Sequence, residues 1–205
     1  MNYLTAYSRR EGGSSLLLQE YLCREVPACF ACLCSRDAEE SREITEKLLS
    51  WNRRFPWHRA AKAPGRFLDR AERELREGMA ETSESLTAKG RGGIMWRLVV
   101  CVDQELLTLG NGYALYLLSG AFGQGSAKRL QGSFRGCLEP EAGILLAEED
   151  FLESRPPQAL AQVARGWEIR TQQQADKRLK ELAGSGRNGE EDSGTAVLLL
   201  TKESA

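Results

Sequence analysis

The sequence contains a single histidine, His58, among its 205 residues. A metal site built from several histidines is therefore excluded, and histidine-based acid–base chemistry would have to use this one side chain. His58 follows Pro56 and Trp57, just past the end of a predicted helix, and no Ser–Asp arrangement near it indicates a catalytic triad. We interpret it as a surface or capping residue.

The sequence also has no excess of charge of either sign, with 28 Lys+Arg against 29 Asp+Glu and a net charge of -1. A protein that binds nucleic acid through its overall charge would be strongly basic, so we expect no nucleic-acid partner. Long apolar runs are missing too, because residues 98–102 and 197–200 fall far short of the ~20 that a membrane helix needs. Residues 1–10 carry no signal pattern, so we expect a cytoplasmic protein without a membrane partner.

Three of the six cysteines form a C-x-x-C-x-C pattern: Cys29, Cys32 and Cys34. A zinc or redox site is one interpretation, but it normally needs a second pair, and Cys101 and Cys137 stand alone. On a strand, Cys32 and Cys34 share one face and Cys29 lies on the other. We favour a buried strand that carries free thiols, as expected in a reducing compartment.

The hydrophobic pattern predicts an α+β protein of one domain, covering residues 1–205. Ile44, Leu48, Trp51 and Phe55 recur at helical spacing, which predicts a helix over residues 38–55. Strands grouped with helices, rather than alternating with them one by one, argue against a doubly wound parallel sheet. Further helices are predicted over residues 66–86, from Pro156 onward, and over residues 171–183. Strands are predicted over residues 16–22, 28–34, 143–147 and 195–201. Residues 94–103, 105–109 and 113–118 are predicted to form a three-stranded meander, with an edge strand near 127–131.

Four local strings stand in a familiar order along the chain: ACFACLCSRDAEESREITEKLL at 28–49, residues 93–118, GILLAEEDFL at 143–152 and DSGTAVLLL at 192–200. They resemble, in turn, the strand–turn–helix with Asp-Gly-Met-Gly-Gly, the Gly-Thr-Thr strand with a Gly-Asp-Ser-Arg hairpin, the Asp-Gly strand and the closing Asp-Asn-x-Thr strand of one family. This family is the metal-dependent protein phosphatases of the protein phosphatase 2C type (PPM). The resemblance implies a four-layer αββα fold, an antiparallel β-sandwich flanked by helices.

The resemblance also implies a site in which clustered carboxylates hold two Mg²⁺ or Mn²⁺ ions, which activate water and clamp phosphate. The family's Arg-x-x-Asn-Glu-Asp motif matches residues 10–15, so it retains Arg10 as a candidate phosphate-binding residue but loses both acids. Only Asp192 and, conservatively, Glu149 keep a carboxylate at the principal metal positions. Glu11, Asp37 and Glu148 lie one to a few positions away, and a register shift would bring in one of them but not all; Asp150 stands where the family has glycine. The degenerate metal positions are Ser14, Ser15, Ser35, Arg36 and Asn111.

Two carboxylates cannot offset two divalent cations, so the resemblance implies a phosphatase fold that has lost catalysis, a pseudophosphatase. Such a protein would act in signalling by binding a protein partner, with a phosphoprotein as one option, and would need no catalytic residue and no cofactor. The alternative is a divergent Mg- or Mn-dependent serine/threonine protein phosphatase with Glu149 and Asp192 as metal ligands. A second alternative is an unrelated α+β interaction domain.

Overall fold

Two antiparallel sheets of five strands each carry the fold of this computed structural model. The structure describes residues 2–9, 13–35, 40–88, 94–119, 125–140, 142–153, 160, 169–184 and 194–202. Each sheet belongs to a compact unit of its own. The first unit takes the chain up to Ser14, Tyr113–Gln131 and the chain from Cys137 onward, and the second takes Ser15–Gly112 and Gly132–Gly136.

The sheet of the first unit has the strand order β1-β10-β9-β6-β7. Two of its inner strands, β9 and β10, are mostly aliphatic, and their described side chains are buried, whereas β6 is partly exposed. Helix α4 packs on β1, where Gln172 bonds both backbone groups of Thr5. The elements of this unit are β1 (Asn2–Ser8), β6 (Ala114–Ser119), β7 (Ser126–Arg129), β9 (Ala142–Ala147), α3 (Glu149–Glu153), α4 (Gln172–Gly184) and β10 (Ala196–Lys202).

The sheet of the second unit has the order β2-β3-β4-β5-β8, and helices α1 and α2 pack against it. An aromatic cluster lies in its core, where the Trp51 ring centroid is 4.4 Å from that of Phe55 and the Phe55 centroid 4.6 Å from that of Phe67. Contacts of this kind add to the burial of apolar surface. The elements are β2 (Ser15–Cys23), β3 (Val26–Cys34), α1 (Glu40–Arg54), a 3₁₀ helix (Trp57–Lys62), α2 (Pro64–Ala88), β4 (Trp96–Val102), β5 (Glu105–Asn111) and β8 (Phe134–Cys137).

Strand β3 confirms the interpretation of the cysteine pattern as a buried strand. Cys32 and Cys34 lie in the core beneath the helices, Cys29 lies on the opposite face, and all three are buried free thiols. Burial raises the pKa of the Cys29 and Cys32 thiols well above the ordinary value and that of Cys101 to about 12. These thiols therefore remain protonated at neutral pH and are poor metal ligands.

The pattern-based predictions hold for most elements and fail at one connection. The predicted three-stranded meander is wrong, because β5 pairs with β4 and β8 whereas β6 pairs with β7 and β9 in the other sheet. Gly110, next to the last residue of β5, and Gly112, just after the strand, both have positive φ. Local turn signals do not reveal which strand will be the partner. Strands β1 and β8, helix α3 and the 3₁₀ helix have no counterpart among the predicted elements.

The remaining elements agree with their predictions within a few residues. The stripe of Ile44, Leu48, Trp51 and Phe55 is buried, and α2 begins at Pro64, a good first helical residue. His58 is exposed, as predicted for a surface residue. The helix predicted from Pro156 lies outside the described residues, and the assignment of residues 1–205 to one domain stays a prediction.

The observed mixture of antiparallel sheets and helices confirms the predicted α+β class. Within the described part of the chain, no helix has the length and apolar character needed to span a membrane.

The turn after β5 allows a direct test of close packing. A Cβ atom at Gly110, which has φ +95°, would lie 2.2 Å from the Trp96 carbonyl oxygen, whereas one at Gly132, with φ +64°, would meet nothing within 4 Å. Both alanine variants carry left-handed backbone strain of about 1–2 kcal/mol, but only Gly110→Ala adds a clash of about 1–3 kcal/mol. We expect urea unfolding to show a clearly larger loss for Gly110→Ala. Equal losses in the two variants would contradict the clash.

Candidate functional site

Three neighbouring strands of the first unit's sheet, β10, β9 and β6, have their ends side by side at one end of the sheet. Ala147, the last residue of β9, is opposite both Ala114 and Ala196, the first residues of β6 and β10. The residue after β9 and the residues before β6 and β10 must therefore lie side by side. These residues are Glu148, Tyr113 and Thr195.

Glu148 lies in the middle of these strand ends and accepts hydrogen bonds from two separate parts of the chain. The backbone N–H of Ser14 donates to Glu148 Oε1 at 2.7 Å, and the Ser14 hydroxyl donates to the same oxygen. The backbone N–H of Thr195 donates to the other oxygen, Oε2, at 2.6 Å. Since charge-assisted hydrogen bonds are the strong ones, one carboxylate ties the segment before β2 to the start of β10.

One further residue, Tyr113, completes what we call the Glu148 cluster (Ser14, Tyr113, Glu148 and Thr195). The Tyr113 hydroxyl lies 2.8 Å from Ser14 Oγ in a buried hydrogen bond, and Tyr113 is the donor because the Ser14 hydroxyl proton goes to Glu148. Gly194 has φ +122°, and a Cβ there would lie 2.9 Å from Glu148 Oε2. The close approach of backbone and carboxylate therefore depends on glycine at this position.

Glu149, the predicted metal ligand, belongs to a different environment. Its carboxylate forms an ion pair with Arg129 of β7, and both side chains are partly exposed, at 39% and 49%. The structure thus brings Ser14 together with Glu148, the residue that sequence matching admitted only after a register shift.

The second unit places its predicted positions at one end of its own sheet. Ser15 is opposite Cys34, Cys34 opposite Trp96, and Trp96 opposite Asn111, so these residues form one row across β2, β3, β4 and β5. Ser35 follows this row, and its backbone N–H donates to the Met95 carbonyl at 2.8 Å. All three predicted positions in this unit, Ser15, Ser35 and Asn111, are uncharged at neutral pH.

Three predicted positions, Arg10, Arg36 and Asp192, lie outside the described residues. Their roles in phosphate or metal binding stay predictions. The same holds for Glu11 and Asp37, which would enter the ligand set only after a register shift.

The donor set of the described residues does not fit a two-metal site. Mg²⁺ and Mn²⁺ require several oxygen ligands with negative charge, and the oxygens of Glu148 already accept hydrogen bonds from Ser14 and Thr195. Over the parts of the chain that the structure describes, no group of three or more His, Cys, Asp or Glu could hold a metal ion. The carboxylate of Glu149, the other candidate ligand, is paired with the guanidinium group of Arg129.

Sequence reasoning missed the central role of Glu148 and the participation of Tyr113 and Thr195. The available signal was position: each residue directly adjoins a buried aliphatic strand. Their convergence depends on the pairing of β6 with β9, which the incorrect meander had excluded.

Comparison of the chain with known proteins gives structural similarities only. No family model and no curated protein matches the sequence. The structure is similar to PppA, a regulatory component of the T6SS in Pseudomonas aeruginosa, with a TM-score of 0.64, 13% identity and 98% of both chains covered. It is similar to the serine/threonine phosphatase PstP of Mycobacterium tuberculosis, with a TM-score of 0.57, 12% identity and 98% of both chains covered.

A third similar structure is RsbX in complex with magnesium, with a TM-score of 0.61 and 9% identity over 97% of this chain and 94% of that one. Identities this low show the fold alone, and the alternative of an unrelated α+β domain is wrong. The predicted resemblance is confirmed: this chain has the fold of the metal-dependent protein phosphatases of the protein phosphatase 2C type.

Proposed function

We propose that this protein keeps the phosphatase fold without two-metal hydrolysis and acts as a binding or regulatory protein in signalling. The observation that carries the proposal is the state of two adjacent carboxylates. Glu148 is engaged by Ser14 and Thr195, and Glu149 by Arg129. A metal ion would have to displace these partners to use either of these two carboxylates.

The chemistry of the other matched positions supports the same proposal. Ser14, Ser15, Ser35 and Asn111 offer neutral oxygens, which compensate the charge of a divalent cation poorly. A similar fold, PstP, has been solved with two manganese ions. That site chemistry needs negative charge that these positions of the present chain do not supply.

The Glu148 cluster then has a structural role that hydrogen bonds fulfil. A carboxylate surrounded by neutral N–H and O–H donors joins three parts of the first unit without a metal ion. A protein partner, with a phosphoprotein as one option and Arg10 as its candidate phosphate contact, is part of this proposal, as is a cytoplasmic location.

The two neighbouring glutamates can be separated by isosteric substitution. Glu148→Gln replaces one acceptor oxygen by an N–H donor that faces other donors, which should cost about 1–3 kcal/mol of unfolding free energy. Glu149→Gln, the matched control, removes only an exposed ion pair and should change stability by less than about 0.5 kcal/mol. Combining Glu148→Gln with Ser14→Ala in a double-mutant cycle should give a coupling above about 0.5 kcal/mol. Equal effects of the two Gln variants would contradict the assigned roles.

Hydrolysis of p-nitrophenyl phosphate and of a phosphothreonine peptide tests the loss of catalysis directly. With saturating Mn²⁺ we expect no turnover above the metal-only blank, because the matched positions cannot hold a metal pair that activates water. An active phosphatase of the same fold serves as the positive control. Robust turnover that disappears in Asp192→Ala or Glu149→Gln would instead establish the divergent phosphatase.

Metal affinity is a separate measurement, independent of any substrate. Ligands that bind only the native state raise stability by RT ln(1 + [L]/Kd), so a functional site should shift the melting temperature strongly at millimolar Mn²⁺. We expect the same melting temperature in EDTA and in Mn²⁺, and no saturable heat in calorimetry. A saturable signal that Glu149→Gln abolishes would contradict this expectation.

A further inference from the structure

An exposed group of cations lies where α1 gives way to the 3₁₀ helix and α2. Residues 53–66 contain no acidic residue, although the whole chain is almost neutral. Among the described residues, none of these cations has a carboxylate within salt-bridge distance, and all are exposed. We call this surface of the second unit the basic corner: Arg53, Arg54, Arg59, Lys62 and Arg66.

Local structure accounts for only part of the corner. Arg53 and Arg54 lie in the last turn of α1, where the helix dipole favours positive charge. Arg66 lies in the first turn of α2, where the dipole disfavours a cation, and that turn holds no acidic residue to compensate. Stability of the helix therefore does not explain Arg66.

The 3₁₀ helix presents its cations along one edge. Residues three apart are eclipsed in such a helix, so Trp57 and Ala60 share the buried edge while Arg59 and Lys62 share an exposed one. Two like charges on one exposed edge repel each other weakly, and an anion bound there would relieve that repulsion.

A groove between α1 and α2 continues from the corner. It has a volume of about 360 Å³, and its lining mixes charged side chains with apolar ones that include Trp51, Phe55 and Met79. Arg54 lines the groove near the corner. Arg70 lies beside it, pairs with Glu74 at 2.6 Å and places its guanidinium 5.8 Å from the centre of the Phe55 ring.

The far end of the groove has a different charge. Lys47 is bound there to Glu81 at 3.3 Å, and Glu77 adds a further carboxylate to the lining. The potential therefore changes from positive at the corner to neutral or negative along α2. A ligand that fits both features carries acidic groups at one end and apolar groups at the other.

We propose that the basic corner and the adjoining groove bind an acidic protein segment followed by an apolar anchor. Four of the corner's cations are arginines, whose planar guanidinium groups suit carboxylates. This proposal rests on the proposed function only in assuming that the protein acts by binding. The residues of the corner and groove belong to α1, the 3₁₀ helix and α2, none of which contributes to the Glu148 cluster.

The occupant is a protein segment rather than a nucleic acid or a lipid surface. Single-stranded nucleic acids need exposed aromatic side chains for base stacking, and Trp57, the aromatic residue of the 3₁₀ helix in the corner, is buried. Membrane insertion needs exposed apolar side chains, and among the described residues the large exposed ones are Tyr7, Leu22 and Met95, none of them in the corner.

Fluorescence anisotropy with a labelled peptide tests the corner. The probe is a run of glutamates followed by leucines and a tryptophan, compared with the same peptide carrying glutamines. We expect the acidic peptide to bind more tightly, with an affinity that falls as salt is added. The charge reversal Arg59→Glu with Lys62→Glu should weaken binding at least about tenfold.

A matched reversal elsewhere controls for net charge. Lys128→Glu with Lys180→Glu changes exposed lysines of the first unit by the same total charge and should alter affinity less than about twofold. The proposal is overturned if the glutamine peptide binds equally well or if both reversals weaken binding equally. It is also overturned if a single-stranded oligonucleotide or an anionic vesicle binds more tightly than the peptide and loses binding in the corner variant.

A second variant tests the groove. A Cβ at Gly78 would lie 3.2 Å from Lys47 Cε, the flexible end of a side chain, so Gly78→Leu should fold and fill the groove. The Gly78→Leu variant should bind the probe only as tightly as the parent protein binds a peptide in which serine replaces the apolar residues. Gly78→Ala is the control and should bind nearly as the parent does; an unchanged affinity in Gly78→Leu would exclude the groove. The peptide-binding experiments contain no metal ion and no phosphate ester. A negative result in them would therefore overturn the binding surface without bearing on the proposed loss of catalysis.

Discussion

The Glu148 carboxylate is the interaction on which the end of the first unit depends. Glu148 directly follows a fully buried strand, β9, and its side chain is half-buried, so hydrogen bonds must replace the water that its carboxylate loses. Ser14 and Thr195 supply those partners, one from the segment before β2 and one from the start of β10. The same contacts use the oxygens that a metal ion would need, so structural stability and metal binding compete for one side chain.

Adjacent residues on one chain can thus have unrelated roles. Glu148 faces neutral donors and fixes backbone segments, whereas Glu149 pairs with Arg129 on a partly exposed surface. The register of β9 determines these two environments. Successive side chains point to opposite sides, so the position of Ala147 in the sheet fixes where Glu148 and Glu149 lie.

In the second unit, packing and charge are separated between two sides of the same helices. The aromatic cluster of Trp51, Phe55 and Phe67 holds α1 and α2 against the sheet. The outer surfaces are thereby left to charged side chains, and their distribution is uneven: a cationic corner at the α1 end and carboxylates further along α2. A chain with a net charge of -1 can therefore still carry a locally basic surface.

The fold class, most of the helices and strands, and the loss of charge at the matched positions follow from the order of the residues alone. Ile44, Leu48 and Trp51 specify their helix through periodicity, and Ser14 or Asn111 cannot carry a negative charge in any fold at neutral pH. Such features are local, because period, turn chemistry and side-chain type can be read over a few residues.

Only the tertiary structure decided which strand ends meet and which carboxylate occupies the site. Matching by motif selected Glu149, but the pairing of β6 and β10 with β9 brings Tyr113 and Thr195 to Glu148 instead. The polar β1 was missed for a related reason, since its strand character comes from pairing with β10 and from packing against α4. Strand partners are chosen by contacts far apart in sequence, and local patterns carry no information about them.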